Sequence, residues 1–421
     1  MSAWSQVTGN LLDPSAPSSY DFRARMHPFA TCLEENMAHH SPTPVFAKPR
    51  RTTGTAVSPP APNPRFIAPP QLPGGSLSLS LSAILPSALQ TAAAAGKIVF
   101  HAFGDSGGVY GTQAQDAVSQ ALEDQINAAD AQSVPQFLFH LGDVVYFNGE
   151  EDLYNAQFYE PYQYYNAPIF AIPGNHDGDT QVESGDPPFT DPYSLYGFMT
   201  NFCNLTGTPQ FKYRPPMSQP YCYWSLEAPF VTFLGLYSNV DGSLDAPGST
   251  TQADWFTAQL KAVPADKWLI VAVHHPCYSL DTVHGGYGSI LEPLDAAFKA
   301  ANRFPDMVLS GHVHDYQRFA RMVGGTSIPY IICGNAGYAN TEKLLHQLQP
   351  AVAKAHLPFQ TVDQADLTLQ KFDVTNSGFL RITAGVDELL CEYFAVPFSG
   401  SADIANAADS VSVPANQAKT P

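Results

Sequence analysis

The stretch FLFHLGDVVYFNG, residues 137–149, places an apolar run directly before the pair Gly142 and Asp143. A run of this length and composition is typical of a buried β-strand. The carboxylate that follows it then lies at the carboxyl end of the strand. Tyr146 stands three residues after Asp143, and this spacing raises the question of whether the phenol and the carboxylate serve one purpose.

The rest of the chain alternates strand-like and helix-like segments. Apolar residues recur at helical spacing in 112–131, 250–263 and 289–301. Strand-like apolar runs lie at 97–103, 137–141, 168–172, 223–236, 268–273, 307–310, 328–334 and 379–385. Because the late runs are typical of antiparallel strands, the pattern predicts an α/β (α+β) fold in which a sheet sandwich is covered by helices.

Composition divides the chain into three parts. Residues 1–95 are rich in Pro, Ser and Ala and predict an N-terminal arm that is extended or partly disordered. Residues 96–398 hold the periodic segments and predict the folded domain. Residues 399–421 are small and polar and predict a flexible tail. The run at 76–95 resembles the apolar part of a secretion signal, but it lies deep in the chain and is too rich in Ser for a membrane span.

Charge excludes one class of partner and leaves the compartment open. The chain has 20 basic and 38 acidic residues, a net charge of -18, which argues against nucleic-acid binding because that requires a basic face. The opening MSAWSQVTGN lacks the basic start and apolar run of a signal peptide. The expected location is periplasmic or secreted if the start is misassigned, and cytoplasmic otherwise.

The cysteines argue against two kinds of site. Cys32, Cys203, Cys222, Cys277, Cys333 and Cys391 include no CxxC pair, so zinc-ribbon and thioredoxin-like sites are excluded. Cys203 and Cys222 flank a loop-like stretch and could form a disulfide, although unpaired thiols are the favoured interpretation.

Five apolar runs are followed by residues that can bind a metal ion. These residues are Gly104-Asp105, Gly142-Asp143, Gly174-Asn175-His176-Asp177, His274-His275 and Gly311-His312-Val313-His314. In an α/β sheet the loops beyond the carboxyl ends of the strands converge on one crevice. Carboxylate, amide and imidazole suit zinc, iron or manganese. Because the set exceeds one tetrahedral site, the sequence predicts two metal ions about 3.5 Å apart.

Each of these motifs has a simpler interpretation when it is taken alone. A Gly-Asp pair after a strand is usually a turn or a helix cap, and loop histidines are commonly solvated. The adjacent His274 and His275 could be one buried and one exposed ring. His101 and His140 precede the strand tips and are interpreted as structural. The coincidence of five motifs at five strand ends favours the metal centre.

The motifs, in chain order, resemble those of the calcineurin-like metallophosphoesterases. They are Asp105, GD at 142–143, GNHD at 174–177, VxxH at 271–274 and GHVH at 311–314. The resemblance covers about residues 97–395. It implies a four-layer sandwich of two mixed β-sheets flanked by helices, with 96–398 as the catalytic domain.

The first two motifs narrow the resemblance to a subfamily. Many members have Asp-x-His at the first motif, whereas this chain has Asp105-Ser106-Gly107 and no imidazole there. Tyr146 supplies a phenol at GDxxY spacing instead. The combination of DxG and GDxxY is similar to the purple acid phosphatases, as are GDSGG at 104–108 and GHVHDYQR at 311–318.

The resemblance implies two metal sites that share Asp143. The first would hold Fe(III) through Asp105, Asp143, Tyr146 and His314. The second would hold a divalent Fe, Zn or Mn through Asp143, Asn175, His274 and His312. The bound ions would attract a phosphate dianion even in a protein this acidic.

The resemblance also assigns two catalytic histidines, which bind substrate together with Asn175. His176 directly follows Asn175, so its ring can face the substrate oxygens. His284 stands where family members carry a histidine that contacts the phosphate or protonates the leaving group, and an exposed loop histidine is the alternative. Asp177 occupies a position where the subfamily usually has Glu, and we expect it to contact His176.

The implied function is that of an acid phosphatase-like hydrolase, in which a metal-bound hydroxide attacks small phosphate monoesters. The first alternative is a phosphodiesterase that acts on cyclic nucleotides or other diesters. The second is a catalytically silent metal-binding module, which is disfavoured because every ligand position is filled. No phosphate-loop motif is present. The segments 178–222 and 341–370 are expected to border the mouth of the site, and the substrate and oligomeric state stay open.

Overall fold

The computed structural model describes residues 65–72, 74–182, 188–203, 214–360, 364–399 and 401–416. Most of the predicted N-terminal arm, residues 1–64, lies outside these residues, and so does Cys32. The prediction of an arm stays a prediction for that part of the chain.

The apolar runs that precede the first three motifs form the parallel half of a six-stranded sheet. β2 (Lys97–Phe103), β3 (Leu138–His140) and β4 (Ile169–Ala171) are buried and pair in parallel. Burial on both faces explains why these strands are continuous apolar runs. The sheet has the order β15-β14-β13-β2-β3-β4. Its antiparallel strands are β13 (Ser377–Gly385), β14 (Glu388–Val396) and β15 (Asp409–Pro414).

A second sheet of nine strands carries the last two motifs. Its order is β1-β5-β6-β7-β8-β10-β9-β12-β11. The strands are β1 (Ser78–Ser80), β5 (Trp224–Glu227), β6 (Val231–Leu236), β7 (Trp268–Val273), β8 (Met307–Ser310), β9 (Tyr316–Val323), β10 (Thr326–Cys333), β11 (Phe359–Gln360) and β12 (Leu367–Asp373). β6, β7, β8 and β10 run parallel, whereas β9 pairs antiparallel with β10 and β12.

Helices cover the outer faces of both sheets. The α-helices of the described residues are α1 (Ala88–Ala95), α2 (Gln113–Ala128), the single turn α3 (Asn175–Gly178), α4 (Tyr196–Phe202), α5 (Thr251–Ala262), α6 (Gly288–Ala301) and α7 (Pro350–Ala353). α2 packs on β13 and β14 of the six-stranded sheet. Phe256 of α5 and Leu294 of α6 share an apolar cluster with Val271 of β7. The predicted four-layer sandwich is confirmed.

Aromatic rings join the two sheets. Phe233 of β6 stacks on Phe139 of β3 with 4.8 Å between ring centroids, and it meets Phe100 of β2 edge-on at 5.2 Å. Trp224 of β5 lies 6.0 Å from Phe139. All four side chains are buried. Such pairs stabilise the core beyond their buried area, so these rings fix one sheet against the other below the site.

Both ends of the folded region differ from the predicted boundaries. β1 pairs in parallel with β5, and α1 packs against β2 with Ala92 buried, so the fold begins before residue 96. Residues 409–414, predicted as part of a flexible tail, form β15 and pair with β14. Val411 and Val413 alternate with polar residues and pack on the core. This two-residue alternation is typical of a β-strand, but the composition of the segment does not reveal it.

The cysteines that the structure describes agree with the favoured interpretation of unpaired thiols. Cys203, Cys222, Cys277, Cys333 and Cys391 are free, buried thiols. Within the described ranges, no helix is long and apolar enough to cross a membrane.

Removal of one ring of the inter-sheet core should destabilise the protein. Phe233→Ala leaves a cavity between the sheets, and we expect it to lower the free energy of unfolding by about 3–5 kcal/mol. Urea denaturation measures this change. Tyr164→Ala is the control, because Tyr164 is 68% exposed and its loss should change stability by less than about 0.5 kcal/mol. Equal effects of the two substitutions would contradict this account of the core.

Candidate metal centre

The five predicted strand ends meet at one crevice. β2, β3 and β4 lead to the first three motifs, whereas β7 and β8 of the other sheet lead to the last two. The seven residues predicted as ligands therefore come from two different sheets. They are Asp105, Asp143, Tyr146, Asn175, His274, His312 and His314. The crevice lies at the carboxyl ends of parallel strands, where α/β proteins place their ligands.

Three of these side chains form a first group. The Tyr146 hydroxyl lies 3.2 Å from Asp105 Oδ1 and 3.5 Å from His314 Nε2. His314 Nε2 is 3.4 Å from Asp105 Oδ1. All three residues are buried. A phenol, a carboxylate and an imidazole thus direct their polar atoms at one point.

Three other side chains form a second group around Asn175. Asn175 Oδ1 lies 3.1 Å from His274 Nε2 and 2.9 Å from His312 Nδ1. His274 Nε2 is also 3.2 Å from Asp143 Oδ2. The candidate ligand atoms of Asp143, His274 and His312 all lie within 4.8 Å of one another. This set of amide, carboxylate and imidazole atoms fits a divalent transition-metal ion.

Backbone contacts tie the two groups together. The amide of Asp105 donates to the carbonyl of Gly142 at 3.0 Å, and that of Ser106 donates to Asp143 at 3.3 Å. The amide of His312 donates to Asp105 Oδ2 at 2.8 Å. The first, second and fifth motifs are therefore held in fixed register.

Three of the seven residues have an uncommon backbone conformation. The φ angles of Asp105, Asp143 and His312 are 60°, 52° and 68°. Positive φ is rare for residues other than glycine, and such residues concentrate at functional sites. The surrounding contacts thus hold these backbones in conformations that aim the side chains into the crevice.

The absent side chain of Gly107 makes room for Tyr146. A Cβ at residue 107 would lie 2.5 Å from Gln157 Oε1 and 2.9 Å from Tyr146 Cδ2. Gln157 in turn accepts from the Tyr146 amide and donates to its carbonyl, both at 2.9 Å. The pairing of DxG with GDxxY therefore has a steric cause, because a histidine at 107 and this tyrosine cannot occupy the same space.

Hydrogen bonds on the far side of two imidazoles fix their orientation. His274 Nδ1–H donates to the Leu141 carbonyl at 2.9 Å, which turns Nε2 toward Asp143. A hydrogen bond of 2.8 Å joins His312 Nε2 to the hydroxyl of Tyr287, which turns Nδ1 toward Asn175. Partners of this kind fix the tautomer of metal-binding histidines.

The carboxylates of the crevice and the His274 imidazole shift one another's pKa values. Burial raises the pKa of Asp105 to about 8, and the nearby carboxylate of Asp143 adds to the rise. Burial alone would lower the pKa of His274, but Asp143 and Asp105 outweigh it and raise the pKa to about 9. Asp105 and His274 therefore each hold a proton at neutral pH, and a bound metal ion would displace both protons.

Both predicted catalytic histidines lie at the crevice. The His176 amide donates to Asp143 Oδ1 at 2.9 Å, and Nδ1–H donates to the Phe147 carbonyl at 2.8 Å. The His284 ring lies 4.2 Å from that of His312. His284 is exposed, which agrees with the alternative interpretation of an exposed loop histidine. Its exposed position nevertheless lies at the mouth of the site.

Two neighbours of the proposed ligands, Asp177 and His275, have structural roles. Asp177 was expected to contact His176, but its carboxylate instead accepts the amides of Val144, Val145 and Gly174 at 2.8–3.2 Å. His275 Nδ1 is joined to Ser238 Oγ at 2.7 Å. Because His274 and His275 are both buried, the alternative of one buried and one exposed ring is wrong.

His101 and His140 are structural, as interpreted from the sequence. His101 is hydrogen-bonded to the Tyr165 hydroxyl at 3.0 Å and to Gln125 Oε1 at 3.1 Å. His140 Nε2 is 2.8 Å from Ser106 Oγ. Burial lowers the pKa of both imidazoles to about 3, so both stay neutral supports of the sheet.

The motifs do not reveal three further residues of the crevice. Tyr287 contacts His312, Tyr338 packs on His314 with 4.1 Å between ring centroids, and His346 stacks on His314 at 4.4 Å. Tyr338 also lies 4.5 Å from Tyr146. His346 belongs to the 341–370 segment. The sequence indicated this residue only through the expectation that the segment borders the mouth of the site.

Comparison with known proteins identifies the family. The family model described as calcineurin-like phosphoesterase matches residues 99–316, just over half of the chain, and this range contains all five motifs. The chain belongs to the calcineurin-like phosphoesterase family. Its structure resembles the purple acid phosphatase PPD1 of yellow lupin (Lupinus luteus), with a TM-score of 0.53 and 18% identity over 76% of this chain and 54% of that one.

Curated relatives of this phosphoesterase include purple acid phosphatases. Purple acid phosphatase 22 of Arabidopsis thaliana is 32% identical over 124 residues, 27% of each chain. Tartrate-resistant acid phosphatase type 5 of Rattus norvegicus is 25% identical over 328 residues, 74% of this chain and 90% of that protein. The chain spans at most about half the length of the plant and fungal relatives that it matches.

The structural match extends to a protein with a different description. The anchor protein GAP50 of the Plasmodium inner membrane complex has a TM-score of 0.53 and 13% identity over 76% of this chain and 90% of that one. At this identity the likeness shows the fold alone. The side chains of the crevice must therefore carry any statement about function.

Metal binding to the metal-free protein should strengthen as the pH rises. Below about pH 8, Asp105 and His274 both hold protons that a metal ion must displace. We expect the affinity for Zn²⁺ to rise by up to about tenfold per pH unit for each proton displaced. Competition with a chromophoric chelator between pH 6 and 9 measures this.

Asp105→Asn is the matched variant for this experiment. It removes one of the two protons, so the slope of affinity against pH should be shallower than in the wild type. An affinity that does not change between pH 6 and 9 would contradict the charge assignment of the crevice.

Proposed function

We propose that this phosphoesterase hydrolyses small phosphate monoesters at a dinuclear metal centre, with Fe(III) in one site and a divalent Fe, Zn or Mn in the other. The observation that carries the proposal is the position of Tyr146. Its hydroxyl is buried between Asp105 Oδ1 at 3.2 Å and His314 Nε2 at 3.5 Å. The names of the relatives, which are acid and purple acid phosphatases, support the same activity.

The first group of side chains suits a trivalent ion. Burial raises the pKa of the Tyr146 phenol well above its usual 10, and the carboxylates of Asp105 and Asp143 add to the rise. A phenol in such a place loses its proton only to a strong Lewis acid, since bound cations invert the local pKa. Fe(III) with the phenolate, the two carboxylates and His314 meets this requirement.

The second group suits a divalent ion, with Asp143 shared between the two sites. Asn175, His274 and His312 supply one amide oxygen and two imidazole nitrogens, which are borderline ligands. Asp143 Oδ2 lies 3.2 Å from His274 Nε2 of the second group, and its carboxylate is near enough to raise the pKa of Asp105 and of Tyr146 in the first. When bound, the two ions would supply Lewis acidity that activates a water molecule and neutralises the phosphate oxygens.

The side chains around the proposed ions then bind the ester and move its protons. Asn175 and His176 lie beside the shared Asp143 and would orient the phosphate oxygens. His176 Nδ1–H is held by the Phe147 carbonyl, so Nε2 is the ring atom left to contact the ester. His284 at the exposed mouth would give a proton to the departing alcohol, which lies opposite the attacking water in an in-line displacement.

The phenol gives the proposal a spectroscopic test. We expect the purified, iron-loaded protein to show a broad visible band from the phenolate bound to iron, and we expect Tyr146→Phe to abolish it. Tyr338→Phe is the matched control. The Tyr338 ring lies 4.5 Å from that of Tyr146, but its hydroxyl is hydrogen-bonded to that of Tyr110 at 3.3 Å, so the band should persist.

Metal analysis and turnover complete the test on the same preparations. Two metal ions per chain, and faster hydrolysis of phenyl phosphate than of diphenyl phosphate, are the expected results. An iron-filled protein without the band, or with a band unchanged in Tyr146→Phe, would contradict the proposed iron site. A preference for the diester would contradict the proposed substrate class.

A further inference from the structure

His346 continues a row of imidazoles along the rim of the crevice. Its ring stacks on that of His314 with 4.4 Å between centroids and 25° between planes, and it lies 4.9 Å from His284. His284 lies 4.2 Å from His312. The row therefore runs from a ligand of the second proposed metal site to a ligand of the first. The His346 side chain is 11% exposed, so little of the ring faces solvent.

The row is held in place by pairing between two segments. The Thr282 amide donates to the Gln347 carbonyl at 2.9 Å, and the Gln349 amide donates to the Leu280 carbonyl at 2.9 Å. Asp281, between them, accepts the His284 amide at 3.0 Å. His284 and His346 are thus carried by segments that brace each other, and their positions do not depend on a bound substrate.

A backbone contact settles which nitrogen of His346 carries the proton. The His314 amide donates to His346 Nδ1 at 3.1 Å, and an acceptor nitrogen of imidazole has no proton. Asp281 Oδ2 lies 3.5 Å from Nδ1, but the Asp281 carboxylate already accepts hydrogen bonds from Val283, His284, Gly285 and Ser279. The neutral ring therefore carries its proton on Nε2.

The Nε2–H group of His346 has no hydrogen-bond partner among the described residues. Within the part of the chain that the structure describes, its polar contacts all involve Nδ1. The Nε2 nitrogen is not among the buried polar atoms without a partner, so it reaches the solvent of the crevice. An oxygen of a bound anion can replace water there as its acceptor. The ring lies 4.4 Å from that of His314, which places it beside the proposed centre.

We propose that His346 is a further substrate-binding residue, whose Nε2–H donates a hydrogen bond to an oxygen of the phosphate group bound at the metal centre. The inference rests on the proposed function. Its ligand class is the tetrahedral oxyanion, either the phosphate ester or the inorganic phosphate product. His346 lies outside the five motifs that carry the family resemblance.

Three variants separate the donor from the ring. His346→Phe keeps an aromatic ring against His314 and removes the donor. His346→Gln keeps an amide donor. His356→Phe is the matched control, because His356 is an exposed histidine ten residues along the same segment. The probe is inorganic phosphate, titrated calorimetrically into the full-length, metal-loaded protein, with phenyl phosphate turnover and metal content measured alongside.

We expect His346→Phe to weaken phosphate binding about tenfold, the loss of one hydrogen bond to a charged group. The KM for phenyl phosphate should rise with it, while kcat stays within about twofold. His346→Gln should retain most of the affinity, and His356→Phe should bind phosphate like the wild type. Metal content should be the same in all four proteins.

Two results would overturn the inference. One is unchanged phosphate binding in His346→Phe. The other is loss of metal from that variant, which would make the ring a support for His314 and not a substrate contact. Failure of the proposed function is distinguishable, because it appears in the wild type as metal-loaded protein that does not hydrolyse phenyl phosphate. Phosphate binding still tests His346 in that case.

Discussion

The position of Asp143 is the constraint on which the rest of the crevice depends. Its Oδ1 accepts the His176 amide at 2.9 Å, and its Oδ2 lies 3.2 Å from His274 Nε2. Its backbone has a φ of 52°, and its carboxylate fills the space that a side chain on Gly174 would need. One carboxylate is therefore fixed by contacts from the loops that follow β3, β4 and β7, and a shared ligand of two metal ions requires such a position.

The sandwich provides this position by packing two sheets face to face, with the strand ends that carry the motifs on the same side of the molecule. The six-stranded sheet contributes Asp105, Asp143 and Asn175, and the nine-stranded sheet contributes His274 and His312. Aromatic packing of Phe233 against Phe139 fixes the sheets below the crevice. The cost of the arrangement is a cluster of buried titratable groups with uncommon backbone angles, which cations would stabilise.

The sequence predicts the parts of the site that depend on local order. Apolar runs mark the strands, and the polar residues after them converge because carboxyl ends of strands share an edge. The pairing of Gly107 with Tyr146 was visible as a motif, and the structure adds its steric cause. The positions of Tyr287 and His346 at the crevice could not be predicted, because contacts between segments that are distant in the sequence bring them there. β15 was missed for a similar reason, since a short polar strand is stabilised by pairing with β14 and not by its composition.

Anomalous X-ray diffraction from crystals of the metal-loaded protein tests the central claim most directly. Data collected at the iron edge and at the edge of the second metal locate each ion separately. The account predicts two ions about 3.5 Å apart, with Asp143 between them, iron beside Tyr146 and His314, and the divalent ion beside Asn175, His274 and His312. A single ion, or iron on the side of Asn175 with no contact to Tyr146, would contradict it.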